Sequence, residues 1–121
     1  MKDFIIVSNN ELIRDEYDNV QFVEGDFKDV LYAVRDLVHI GYRPITHPLP
    51  ASIRMMLSPV RSILVADQTH PDALRVMEMS MDSYHRTLGQ REPDYANRDD
   101  YEVIDRQLLQ ASIEEYKTLS N

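Results

Sequence analysis

The most regular feature of this sequence is the spacing of its apolar residues between Phe27 and Val38. They follow the i, i+3, i+4, i+7 rule of an amphipathic helix without a miss, at Phe27, Val30, Leu31, Val34, Leu37 and Val38. Asp26 is a suitable N-cap, and Gly41 can adopt the left-handed conformation that ends a helix. We therefore predict a helix over residues 26–40 whose apolar face needs a partner.

Short apolar runs on both sides of this helix predict the sheet that it covers. The expected strands are residues 3–8, 20–24, 43–46 and 61–66. Further helices are expected at 11–17, 71–88 and 100–118. On the last one, Tyr101, Ile104, Leu108 and Ser112 share one line, with Leu109, Ile113 and Tyr116 beside it.

The order of these elements predicts the fold class. Strands that alternate with helices favour a mainly parallel sheet with helices on both faces. We therefore expect a single α/β domain over residues 1–121. It would be a small, Rossmann-like, three-layer domain with a mainly parallel sheet of three or four strands and a helical C-terminal tail.

Composition excludes several classes of function. The 121 residues include 21 acids, 13 Lys and Arg and no Cys, with a formal charge of −8. An acidic chain is a poor nucleic-acid binder, and a chain without Cys forms no disulfide or thiolate metal site. The four histidines are scattered and no Gly-rich phosphate loop is present, so we expect no metal and no cofactor. The apolar run Phe4–Val7 is too short to be a signal or membrane segment, which predicts a cytoplasmic protein without membrane contact.

One segment departs from this acidic composition. Residues 37–66 contain no Asp or Glu, where the chain average would place roughly five. The same segment contains Arg43, Arg54 and Arg61. Such asymmetry indicates a site for a small anion or a face for an acidic partner protein. The alternative is that these arginines pair with acids elsewhere on the chain.

Within this segment, residues 47–60 form an irregular, proline-containing connection, a type of segment that often carries function. It has no strong helical pattern, so we favour an antiparallel return that puts Arg61 at the same sheet end as His47. Arginine and hydroxyl groups bind carboxylate or phosphate. The candidate ligand-binding residues lie on this connection and at nearby strand ends, with an Asn at the rim: Asn9, Asn10, Thr46, His47, Ser52, Arg54, Arg61 and Ser62. Taken alone, polar residues after a strand are also typical of turns and caps.

Several stretches together resemble the GrdX family of small proteins, whose genes lie near those for glycine, sarcosine and betaine reductase. They are Ile6–Asn10, Glu24–Asp26, Val34–Gly41, Ile45–Leu49, Ser52–Arg54 and Pro59–Leu64. The resemblance covers about Phe4 to Ala66, although Pro50, Ala51 and residues 54–56 depart from the family pattern. It implies an accessory role in anaerobic amino-acid reduction and marks Thr46, His47, Arg61 and Ser62 as the presumed site.

Three functions stay open at this point. The first is a GrdX-like accessory protein that binds a small anion or an acidic partner. The second is a small enzyme with His47 as acid or base and Arg61 as anion clamp, although no acid lies within ten residues of His47. The third is a purely structural dimer. Val76 and Met79 lie off the main apolar line of their helix, so we expect a homodimer with one of the two C-terminal helices at the interface.

Overall fold

A computed structural model of the chain describes residues 4–120. Its strands and helices are β1 (Phe4–Ser8), α1 (Glu11–Glu16), β2 (Val20–Phe22), α2 (Phe27–His39), β3 (Arg43–Pro44), β4 (Ser62–Ala66), α3 (Ala73–Leu88) and α4 (Arg98–Ser120). Two short 3₁₀ helices lie at Ile53–Leu57 and Tyr95–Asn97. Every predicted element is present, although β2 and β3 are shorter than expected.

The four strands form one sheet in the order β2-β1-β4-β3. Strand β1 pairs in parallel with β2, with Ile6 opposite Val20. Strand β4 is antiparallel to both of its neighbours, with Leu64 opposite Ile6 of β1 and Val65 opposite Pro44 of β3. The α/β class is confirmed, but the expectation of a mainly parallel, Rossmann-like sheet is wrong. Strands β1, β2 and β3 do run in one direction, but β4 lies between β3 and the β1–β2 pair.

The chain itself explains the place and direction of β4. All five residues of β4 are buried, which suits an inner strand, whereas β3 is short and contains Pro44, which cannot donate to a ladder. The connection before β4 holds only the five-residue 3₁₀ helix, too short for a parallel crossover. The chain therefore returns antiparallel, as predicted, and residues 46–47 lie at the same sheet end as Arg61.

Helices α2 and α3 cover one face of the sheet. Val7, Ile63 and Val65 pack there against both helices, and the rings of Phe27 and Tyr84 stack with centroids 4.8 Å apart. The predicted apolar face of α2 is confirmed: Phe27, Val30, Leu31, Val34 and Val38 are buried, and Leu37 packs at their edge. The predicted ends hold as well, because Asp26 is the N-cap and Gly41 has a φ of 107°.

Helices α1 and α4 cover the opposite face, so the predicted three layers are present. Ile6 and Leu64 of the sheet pack against Ile13 of α1 and against Leu109 and Ile113 of α4. The helix expected as a tail is therefore the main cover of this face. Of the residues that share the first apolar line of this helix, Tyr101 is buried, whereas Ile104 and Leu108 are 39% and 44% exposed. Within residues 4–120, no helix combines the length and apolar character that a membrane crossing requires.

Candidate functional site

A buried polar network lies where β1 ends and β4 begins. Asp105 of α4 is at its centre and is 2% exposed. Its Oδ1 accepts from the backbone N of Ser62 at 2.9 Å, and its Oδ2 accepts from the Ser62 hydroxyl at 2.6 Å. The Ser8 hydroxyl lies 2.7 Å from the Ser62 Oγ, and the backbone N of Asn10 donates to the Ser8 Oγ at 2.9 Å. The network therefore joins two strands and α4 away from water.

The two asparagines after β1 complete this network. Asn9 Nδ2 donates to the carbonyls of Gly25 and Pro59, and its Oδ1 accepts from the backbone N of Arg61 at 2.9 Å. Asn10 caps α1 by accepting from Leu12 N, and its Nδ2 donates to Asp105 Oδ2 at 3.0 Å. Both are almost fully buried, so they lie behind the candidate site rather than at the expected rim.

Arg61 holds the connection that precedes it. Its Nη2 donates to the His47 carbonyl at 2.7 Å and its Nε to the Pro48 carbonyl at 3.2 Å. The residue is 6% exposed, and its guanidinium carbon lies 5.9 Å from the centre of the Phe27 ring. Burial lowers the pKa of Arg61, and the charge of Asp105 opposes that shift. Arginine nevertheless stays protonated in proteins, so Arg61 keeps a buried positive charge beneath the connection between β3 and β4.

A cavity of about 360 Å³ opens beside Arg61, and we call it the main cavity. One wall is the connection between β3 and β4, and the other is α4. Four predicted site residues line it: Thr46, His47, Ser52 and Arg61. Apolar side chains supply most of the remaining surface, including Leu49, Met55, Leu108 and Ala111. The volume lies within the usual range for small-molecule sites, and the mixture of a few polar groups in an apolar wall is typical of them.

A second cavity of about 310 Å³, the side cavity, adjoins the first along α4. The two share Thr46, His47, Ser112 and Glu115. The His47 ring is oriented by Leu49, because its Nδ1 lies 3.1 Å from both the backbone N and the carbonyl oxygen of that residue. The fold thus brings an acid, Glu115, to the cavity that His47 lines, although none is near it in sequence.

The other predicted site residues lie elsewhere. Ser62 is buried and both of its donors are taken by Asp105, so it supports the site from behind, as Asn9 and Asn10 do. Arg54 is exposed on the 3₁₀ helix and does not line either cavity. Their roles in ligand binding remain predictions.

A family model described as GrdX-like protein matches residues 5–114. The chain belongs to the GrdX-like family. The match extends well beyond the stretch from Phe4 to Ala66 on which the resemblance was first seen, and it takes in α3 and most of α4. On the α4 wall of the main cavity, Leu108, Ala111 and Ser112 lie within the matched region and Glu115 lies just beyond it. On the α4 wall of the side cavity, only Ser112 lies within it. No curated protein and no solved structure matches the chain.

Two acids of this GrdX-like chain were missed in the sequence. Asp105 lies on the buried line of α4 that also holds Tyr101, Leu109 and Ile113 at four-residue spacing. The sequence did offer a signal for Asp105, because it is an acid at a position where the four-residue spacing otherwise places apolar or aromatic residues. Glu115 carries no such signal, because only the packing of α4 against the sheet brings it to the cavities that His47 lines. Across residues 4–120, no group of three or more His, Asp or Glu side chains could hold a metal ion.

Proposed function

We propose that this protein is a non-catalytic binding module that holds a small organic anion in the main cavity. In keeping with the family resemblance, the proposed setting is an accessory role in anaerobic reduction of glycine, sarcosine or betaine. The observation that carries the binding proposal is the state of Arg61. Its charge is buried in the cavity wall, and its hydrogen-bond partners are neutral carbonyl groups.

A buried charge is costly unless an opposite charge compensates it. Among the residues that the structure describes, Arg61 forms no ion pair within 4.0 Å, and Asp105 acts on it only at longer range. The Nη1 nitrogen donates to none of those residues. A carboxylate or phosphate in the cavity would supply both the opposite charge and an acceptor, in the planar geometry that guanidinium favours.

The lining also indicates the shape of the ligand. Leu49, Met55, Leu108 and Ala111 offer apolar surface around a single arginine. A carboxylate with an apolar body would bury that body against these side chains, whereas inorganic phosphate would not. We therefore expect branched or linear carboxylates of about five to six carbons to bind better than acetate or phosphate.

Thermal unfolding with 4-methylpentanoate, hexanoate, acetate and phosphate tests the proposal. A ligand at 100 times its Kd stabilises the folded state by about 2.7 kcal/mol. Ala111→Phe fills the cavity from an exposed helix position and should abolish the effect while the protein still folds. Arg61→Lys keeps the charge but loses the planar fork and should weaken binding.

Arg54→Ala is the matched control, because it removes a nearby exposed positive charge that does not line the cavity. It should bind like the wild type. Stabilisation that survives Ala111→Phe, or that falls equally in Arg54→Ala, would show nonspecific anion binding and overturn the proposal. The absence of any stabilisation by these four anions and by their amino derivatives leucine and 6-aminohexanoate would overturn it as well.

A small enzyme is the second candidate, and the position of Glu115 favours it. Glu115 and His47 line the same two cavities, so a second titratable group faces the proposed acid or base. This candidate predicts that a bound carboxylate is consumed over time. Nuclear magnetic resonance of the ligand before and after incubation separates binding from turnover, and His47→Gln should stop turnover without preventing binding.

We also propose that the protein forms a homodimer through the exposed side of α4. Ile104 is 39% exposed there, and Ile53 of the acid-free segment is 72% exposed. In a two-fold pair, this segment of one copy could face the acidic α4 of the other. Light scattering should give twice the chain mass of 14.2 kDa. Ile104→Ser should reduce it to one chain mass and Ile40→Ser, on another exposed surface, should not.

A further inference from the structure

We infer that the ligand of the main cavity is a zwitterion with an apolar body: it carries a positive group for Glu115 as well as a negative group for Arg61. The inference deepens the proposed function and rests on it. It adds a second charge to the ligand and assigns Glu115 the role of selecting for it.

Glu115 and Arg61 lie on different walls of one cavity. Arg61 comes from the start of β4, and Glu115 comes from the C-terminal half of α4. Among the residues that the structure describes, Glu115 forms no ion pair within 4.0 Å. It also lines the side cavity, so Glu115 is one of the residues shared by the two cavities.

This arrangement disfavours a plain anion. A carboxylate ligand drawn to Arg61 would share the cavity with the Glu115 carboxylate, and like charges in a partly enclosed space repel. An ammonium group on the same ligand turns that repulsion into attraction. The apolar side chains between the two walls, Leu49, Met55, Leu108 and Ala111, then face the uncharged part of the molecule.

Two matched pairs of probes test for the second charge without assuming how far apart the ligand's charges are. The first pair is leucine, whose two charged groups are on adjacent carbons, and 4-methylpentanoate, which lacks the ammonium group. The second pair is 6-aminohexanoate, whose two charged groups are at opposite ends of its carbon chain, and hexanoate, which lacks the ammonium group. Isothermal titration calorimetry on the full chain gives Kd for each probe.

In at least one pair, we expect the amino compound to bind the wild type at least fivefold more tightly than its partner. Glu115→Gln should remove that preference. It should weaken the binding of the amino compound and leave the binding of the plain carboxylate unchanged or make it tighter. Glu114→Gln is the control, because it removes the neighbouring exposed acid that lines neither cavity. It should keep the preference.

The possible failures are distinguishable. If 4-methylpentanoate and hexanoate bind as well as their amino partners, and Glu115→Gln changes nothing, the zwitterion inference is wrong while anion binding stands. A preference that persists in Glu115→Gln also refutes the role of Glu115. If none of the four probes binds, or if binding survives Ala111→Phe, the proposed function itself fails.

Discussion

The carboxylate of Asp105 binds both hydrogen-bond donors of Ser62, its backbone N at 2.9 Å and its hydroxyl at 2.6 Å. Ser62 begins β4, and Asp105 lies near the middle of α4. Because the Ser62 hydroxyl proton is used toward Asp105, the Ser8 hydroxyl must donate to Ser62 Oγ. The result is a one-way chain of hydrogen bonds from Asn10 N through Ser8 and Ser62 to Asp105, which positions α4 on the sheet.

Replacing Asp105 by Asn should break this chain. The side-chain amide would direct donor hydrogens at Ser62 or Asn10, which are themselves donors, and would leave buried groups without an acceptor. We expect the free energy of unfolding to fall by about 2–4 kcal/mol, as measured by urea denaturation. The exposed Asp100→Asn, on the same helix, should change it by less than about 0.5 kcal/mol. Equal effects of the two changes would contradict the role of Asp105.

Two adjacent leucines of α4 should respond very differently to truncation. Leu109 is 2% exposed and packs on the sheet, whereas Leu108 is 44% exposed in the cavity wall. Leu109→Ala should cost about 2–5 kcal/mol of stability, and Leu108→Ala should cost less than about 1 kcal/mol. Chemical denaturation of both variants decides this. Similar losses would mean that α4 is rotated from the orientation described above.

Two glycines with positive φ should also differ. Gly25 has a φ of 142°, and a methyl group there would collide with the Asp29 carboxylate, which accepts from Asp26 N at 2.8 Å at the start of α2. Gly25→Ala should therefore cost about 2–4 kcal/mol through strain and loss of the cap. At Gly89, φ is 61° and ψ is −128°, a backbone conformation that disfavours a side chain, but no atom lies within 4 Å of an added methyl, so Gly89→Ala should cost only the backbone strain of about 1–3 kcal/mol. Thermal unfolding of the two variants measures the difference, and a reversed order would contradict it.

Stability should fall at alkaline pH because of Tyr84. Burial raises the pKa of Tyr84 from 10.0 to about 12. Below pH 10, the phenol is neutral in both states and its contribution is fully present. Between about pH 10 and 12, the unfolded chain loses the proton and the folded chain keeps it, so the free energy of unfolding decreases. Tyr84→Phe should make that decrease shallower in urea titrations at successive pH values. An unchanged pH dependence would show that the Tyr84 phenol is not protected.

Local signals were sufficient for the parts of the fold that depend on neighbours in sequence. In α2, the apolar spacing, the Asp26 cap and Gly41 agree, and the helix lies within one residue of its predicted limits at both ends. The direction of β4 was also predictable, because the connection before it has no helix long enough for a crossover. The contact between Arg61 and His47 follows from that direction.

The features that depend on strand order could not be predicted in this way. Alternation of strands and helices does not say that β4 inserts between β1 and β3, and this insertion makes two of three pairings antiparallel. On α4, both Leu108 and Leu109 fit an apolar line, and only packing selects the inner one. Glu115 reaches the cavity that His47 lines for the same reason, so one wall of the candidate site depends on where α4 docks.

The hydrogen bond from Asn10 to Asp105 spans 95 positions of the chain. During synthesis, the first strand is therefore made long before the helix that satisfies its polar end, and β4 also emerges well after its partner β1. A nascent chain must leave the Asn10 side-chain amide without its Asp105 partner until α4 has been made. The two walls of the main cavity therefore come together only after α4 has been synthesised.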